Sequence, residues 1–422
     1  MNRAAALVVS AMISTACFAE VVPGDWPQFR GPGAQGASAE KGLPVTWSQA
    51  ENVAWKVDLP GPGSSTPVIV GKRIFLTCYT GYNVPRQDQG SPENLKRHVL
   101  CLDRDSGKTI WEKSFKAELP EQPKIRDEHG YASNTPVADD KRLYCFFGKS
   151  GVVALDLVDG REAWRAPVGN GLNGWGSGAS LVLAGDKVIV NASVESSSLI
   201  ALDKNTGKEA WRAGGIKEAW NTPVVVNLPG GASEIVVPIM QKILAFDPAT
   251  GKQLWSCDTD IRWYMVPCVL ANEGVVYCIG GRSGGALAVK AGGRADVTGS
   301  HRLWTGTKGS NVSSPVFHDG HIYWMNENNR TAYCAEAKTG KVVYEQHVGG
   351  RFTQVYAPAL LADGKVYYTT RDGKIIVVAA TPKFEQLAFN DLGDRSTFNA
   401  GIAVSGGKLF IRSDRALYCV GK

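Results

Sequence analysis

A chain of 422 residues with 44% apolar and 20% charged residues has an ordinary globular composition, which excludes a disordered or collagen-like polymer. Its net charge of +6 is scattered among 40 acids without a basic run, which argues against a nucleic-acid partner. Beyond the N-terminus no stretch has about 18 successive apolar residues, so the mature chain is not expected to be integral to a membrane.

Residues 1–19 read as a signal peptide: Arg3 gives the positive start, Ala4 to Ala16 the apolar stretch, and Cys17-Phe18-Ala19 small residues around a cut after Ala19. The expected location is periplasmic or secreted. A lipid anchor at Cys17 is disfavoured, because Ser14-Thr15-Ala16-Cys17 lacks the Leu that usually opens that motif. Residues 20–46 form an N-terminal extension, and 47–422 a repeat domain.

Within that domain one unit recurs. The clearest copy runs Ala201-Leu202-Asp203-Lys204-Asn205-Thr206-Gly207-Lys208-Glu209-Ala210-Trp211. Others span Cys101 to Trp111, Ala154 to Trp164 and Ala245 to Trp255; Cys334 to Tyr344 is a weaker copy, and the one ending at Trp304 carries an insertion. The unit reads as a hairpin. Asp accepts backbone N–H bonds in an Asx-turn, Gly supplies the positive φ, and the Trp packs between neighbouring sheets.

A second signal has the same period. Strand-opening pairs occur at Thr66-Pro67, Thr135-Pro136, Ala179-Ser180, Thr222-Pro223, Val266-Pro267, Ser314-Pro315, Ala357-Pro358 and Ala400-Gly401. Pro is tolerated at a strand start, where its missing donor costs little. Each repeat thus holds four short strands. Dividing residues 47–422 by eight repeats gives about 47 residues each, the size of a propeller blade. The last repeat stops at Cys419-Val420 without a fourth strand, and Asn52 to Val57, with Trp55, reads as an orphan fourth strand. The expected fold is therefore all-β, an eight-bladed β-propeller of four-stranded antiparallel blades closed by the N-terminal strand.

Several features have plain readings. Cys101, Cys334 and Cys419 align with small core residues of the third strand, Cys145 and Cys278 with apolar residues of the second. Cys257 and Cys268 flank one inter-blade connection and are the best-placed pair should a disulfide form. The Gly169-Asn170-Gly171-Leu172-Asn173-Gly174 run lacks the following helix of a dinucleotide site. The six His are dispersed, so no metal ligands and no catalytic residues are assigned.

The loops joining strand four of one blade to strand one of the next converge on one mouth of the central channel. They carry the candidate ligand-binding residues Glu128, His129 and Asn134, then Trp175, then Glu218, Trp220 and Asn221, then Arg262 and Trp263. Arg351 and Tyr356, then Arg395 and Asn399, complete the ring. Rings for apolar area beside a few polar groups suit a small-molecule or peptide site. The small polar residues beside each strand opener have a second use, satisfying backbone groups around the channel.

The repeats resemble the pyrroloquinoline quinone (PQQ) repeat, and residues 25–422 resemble the PQQ-like eight-bladed propeller family with its BamB-like exported members. Asp25-Trp26-Pro27-Gln28-Phe29-Arg30-Gly31-Pro32 resembles the opening of many of them. The resemblance implies two alternatives. One is a non-catalytic, monomeric scaffold that needs no cofactor and holds a protein, peptide or glycan through its loops. The other is a quinoprotein oxidoreductase acting on alcohols or sugars with PQQ and calcium, for which Glu128, Asn134, Glu218 and Asn221 would be the oxygen donors. Quinoproteins typically place an adjacent Cys pair against the cofactor, and this sequence has none. The scaffold is the leading expectation.

Overall fold

The computed structural model describes residues 23–123, 125, 128–282 and 284–422; the signal-peptide reading and its Cys17 lie outside these. Eight antiparallel sheets stand around one axis. Blade 1 consists of Val68–Val70, Arg73–Thr80, Lys96–Asp103 and Thr109–Lys116, from the channel outwards. Blades 2 to 7 follow in chain order over residues 137–166, 182–214, 224–258, 270–306, 316–347 and 360–391. Blade 8 takes three strands from residues 403–420 and its outer strand from Val53–Asp58. That strand pairs antiparallel with Ala416–Val420, setting Trp55 opposite Cys419 and Lys56 opposite Tyr418. The two ends of the chain thus close the ring and cover each other's edges.

The repeat unit folds as its residues dictate. The Asp203 carboxylate accepts the N–H groups of Asn205 (3.0 Å) and Thr206 (2.8 Å). Gly207 turns the chain at φ +73. Except for Trp255, the Trp of each full repeat lies over the corresponding Gly of the next blade. A Cβ on Gly207 would sit 2.5 Å from the Trp164 ring, and one on Gly251 2.4 Å from Trp211. The indole N–H then reaches the next blade's turn, from Trp164 to the Lys204 carbonyl (3.0 Å), Trp211 to Pro248 (3.0 Å) and Trp304 to Ala337 (2.8 Å).

Three features depart from the bare repeat. The insertion before Trp304 places Ala295–Asp296 parallel to Gln253–Asp258 on the outer edge of blade 4. Residues 25–38 run across the inner strands at the end of the channel away from the mouth. Trp26 pairs with Ile69, Pro27 accepts from the Ala138 N–H, and Ala37–Ser38 lies parallel to the inner strand of blade 7. Arg30, fully buried, donates to the carbonyls of Ala34, Gln35 and Pro315 and pins this segment in place. The third concerns cysteine. Cys257 and Cys268, the best-placed pair for a disulfide, are both free and buried, like the six other described cysteines. Cys268 occupies a strand-opener position, where its N–H donates to Ser314 Oγ (3.0 Å).

Candidate functional site

The strand openers build the wall of the channel. The N–H of Thr66 donates to Thr135 Oγ1, Thr135 to Ser180 Oγ, Ser180 to Thr222 Oγ1 and Gly401 to Thr66 Oγ1, all at 2.9–3.0 Å. At these four seams, and where Cys268 donates to Ser314 Oγ, one blade hands a backbone donor to its neighbour's hydroxyl, which explains the preference for Thr or Ser there. Above this ring opens a cavity of about 460 Å³, with Phe29 of the N-terminal segment among its lining residues. That volume suits a small ligand or one or two units of a chain.

Aromatic rings dominate one side. Tyr264 lies 6.0 Å from Trp175 at 46° and 5.7 Å from Trp220 at 76°, so the rings form a bowl rather than a parallel slot. The Trp220 indole is fixed by a bond to the Gly176 carbonyl (2.8 Å). Arg282 lies over Trp263 and Tyr264, and its Nε and Nη2 each reach Tyr264 Oη at 3.3 Å.

The opposite side is polar. Glu128 pairs with Arg371 at 2.9 Å, and the Arg371 guanidinium lies 4.5 Å over the Tyr356 ring. Asn399 donates to the Glu128 carbonyl. His129 bonds Ser133 Oγ and the Trp175 carbonyl, and burial lowers its pKa, so its imidazole is neutral at pH 7. Glu327, buried, accepts from Ser310 Oγ, the Asn311 N–H and Asn328 Nδ2 at 2.9–3.1 Å.

Of the thirteen sequence candidates, Glu128, His129, Trp175, Trp220, Tyr356 and Asn399 come together around this cavity. The others do not line it. Asn134 is buried and donates to the Ala179 carbonyl (2.6 Å), joining two connections. Asn221 is buried and donates to the Pro238 and Met265 carbonyls. Both Nδ2 groups serve backbone carbonyls, while Asn221 Oδ1 is buried without a partner among the described residues. Glu218, Arg262 and Arg351 are exposed outside the cavity. Trp263 is 43% exposed on the rim. Arg395 lines a neighbouring compartment. Glu128, Asn134, Glu218 and Asn221 therefore form no common donor set.

The inter-blade loops supply only part of the site. Arg282, Glu327 and Arg371 lie in the turns between strands two and three of blades 5, 6 and 7, at corresponding places. These turns face the same mouth. Their signal in the sequence is a charged residue just after the second strand, beside a Gly or Asn turn: Gly281-Arg282, Glu327-Asn328 and Arg371-Asp372-Gly373.

The family model described as outer membrane protein assembly factor BamB, of the PQQ-repeat type, matches residues 95–259 and 239–383. A search of curated proteins gave no match. Among solved structures, BamB from Moraxella catarrhalis is 15% identical with a TM-score of 0.61, covering 87% of this chain and 96% of that one. The quinohemoprotein alcohol dehydrogenase from Comamonas testosteroni is 12% identical with a TM-score of 0.66, covering 96% of this chain and 81% of that one. A europium-containing methanol dehydrogenase is 13% identical with a TM-score of 0.64, covering 96% and 99%. At such identities the structures speak for the fold alone, whereas the repeat model matches well over half of the sequence; the chain belongs to the PQQ-repeat propeller family described by BamB.

Proposed function

We propose that this protein is an exported, non-catalytic binding module that holds a glycan or peptide segment of its partner in the aromatic mouth of the propeller. The observation that carries this reading is the state of the mouth's acids. Glu128 is taken by Arg371, and both Glu327 oxygens are taken by neutral donors. What the cavity presents to a ligand is the bowl of Trp175, Trp220 and Tyr264, edged by amides and a guanidinium. Such a surface suits recognition, and the one imidazole–hydroxyl pair among its described lining residues, His129 with Ser133, is tied to backbone, His129 to the Trp175 carbonyl and Ser133 Oγ to the His129 carbonyl (3.0 Å).

The competing reading, a dehydrogenase holding PQQ through calcium, requires hard oxygen donors converging on the ion. Among the described residues no three His, Cys, Asp or Glu side chains converge on one point, and the two carboxylates lining the mouth are already engaged. The engagement of these carboxylates favours the binding-module reading over the dehydrogenase.

The test uses the full chain on immobilised arrays of oligosaccharides and peptides, with Trp220→Ala alongside and a dye-linked alcohol and sugar oxidation assay with added PQQ and Ca²⁺. Expected are ligands retained by the wild type and lost by the variant, without dye reduction. Dye-linked turnover, or retention unaffected by Trp220→Ala, would overturn the reading.

A further inference from the structure

The aromatic bowl is one end of a longer cleft. A second compartment of about 600 Å³ shares Glu128, His129 and Asn399 with it. A third, of about 770 Å³, shares Arg86, Thr397 and Asp414 with the second. The three together run from blade 4 across the mouth to the turn between strands two and three of blade 1. A compact ligand would need only the first. A cleft of this length suits a chain.

Its charge is not evenly spent. Glu128 has Arg371, and Asp394 is held by Ser413, Ser396 and Tyr418, which keep its carboxyl below the usual range although burial opposes them. Burial raises Asp414 to about 6. Four arginines along the cleft have no carboxylate partner among the described residues: Arg282 in the first compartment and Arg86, Arg395 and Arg415 in the third. All four are exposed. Arg86 Nη2 donates to the Arg395 carbonyl (2.6 Å) and Arg282 to Tyr264 Oη, both neutral acceptors, so all four guanidinium groups keep charge and N–H donors for a carboxylate, which they can take in bidentate fashion. At the mouth, Asn311 Oδ1 and Asn399 Oδ1 are buried acceptors without a donor among the described residues. Their needs are met by hydroxyl or N–H donors.

We infer that the cleft binds an extended acidic polysaccharide, a polyuronate, with one sugar face on the Trp175–Trp220–Tyr264 bowl and successive carboxylates against Arg282 and the outer arginines. The inference rests on the binding-module reading and specifies its ligand. A polyuronate supplies in every unit the apolar ring face, the hydroxyl donors and the carboxylate that the three surfaces call for. An acidic peptide supplies charge with fewer donors. A single-stranded nucleic acid supplies bases, for which rings at 46° and 76° offer no parallel slot.

The test is calorimetric titration of the full chain with hexamers of galacturonic, glucuronic and mannuronic acid, with their methyl esters, and with octaglutamate and an eight-residue oligothymidylate as other polyanions. At least one hexauronate is expected to bind, and its methyl ester at least tenfold more weakly. The triple variant Arg86→Gln, Arg395→Gln, Arg415→Gln, checked for native circular dichroism, is expected to weaken the acid at least tenfold and leave the ester unchanged. Arg282→Gln is expected to narrow the same gap. No binding of any hexauronate, equal binding of acid and ester, or octaglutamate or oligothymidylate binding as tightly would overturn the inference. If array ligands are still held in a Trp220-dependent way, the binding-module reading survives that failure; if nothing is held, both fall.

Discussion

Trp164 and Gly207 are made for each other: the indole lies flat on the turn of the next blade, 2.5 Å from where a glycine side chain would begin, and bonds the Lys204 carbonyl beside it. The glycine answers two demands at once, a left-handed backbone and the absence of a Cβ. Five inter-blade seams share this pairing, with Trp55 on Gly107, Trp111 on Gly160, Trp164 on Gly207, Trp211 on Gly251 and Trp304 on Gly340. At the seam between blades 4 and 5 the device changes, and Trp255 turns its N–H to the buried Glu234 carboxylate (2.7 Å).

Gly207→Ala is accordingly expected to cost more than backbone strain alone, which is about 1–3 kcal/mol. Trp164→Ala should cost about 3–5 kcal/mol through the cavity it leaves. Because the two residues touch, the double variant should cost less than the sum. Denaturant titrations of the three proteins check this, and strict additivity would refute the coupling.

The closing strand makes its own prediction. Val57 faces Leu417 across the seam of blade 8. Val57→Pro removes a ladder donor and frees the Ala416–Val420 edge for pairing with other chains. A midpoint of thermal unfolding lower by several degrees and concentration-dependent aggregation are expected in scattering-monitored melts. The wild-type melt should not depend on concentration.

Arg30 ties the N-terminal segment into the channel. Burial pushes its pKa down to about 10, yet it stays charged at pH 7 and serves the carbonyls of Ala34, Gln35 and Pro315. Arg30→Ala leaves these acceptors unmet at a cost of about 3 kcal/mol or more. Limited proteolysis should then cut within residues 25–38, which the native protein protects. An uncut variant would show that Trp26 and its partners hold the segment unaided.

Glu195 gives the stability a pH slope. Burial raises its carboxyl to about 7, with one oxygen, Oε2, unpartnered. Its folded pKa exceeds the unfolded value of 4.5, so the native state holds the proton more tightly. The stability this confers is complete below about 4.5 and is lost as pH rises to about 7, roughly 3 kcal/mol in all. Glu195→Gln should flatten the fall in denaturant midpoint between pH 5 and pH 8. Asp414, raised by burial to about 6, acts with the same sign, so part of the slope should remain. An unchanged slope in the variant would show that Glu195 is not buried as described.

The division between what was legible and what was not follows the range of the forces. Blade number, strand count and ring closure could be read directly, because Asx-turns, positive-φ glycines and strand-opening prolines act within a few residues and repeat. The Trp at a fixed repeat position announced a seam, though not that its partner was the next blade's glycine. In the site, adjacent residues took opposite fates: Tyr264 joins the bowl while Trp263 stands 43% exposed on the rim. The Nδ2 groups of Asn134 and Asn221 were claimed by backbone carbonyls that no spacing rule reveals. Arg282, Glu327 and Arg371 entered from turns inside the blades, and Phe29 from the N-terminal segment. The sequence by itself determined the propeller, since each blade is written in local chemistry. Only the tertiary structure decided which loop side chains face the cavity, because that choice depends on buried polar groups finding partners far away along the chain.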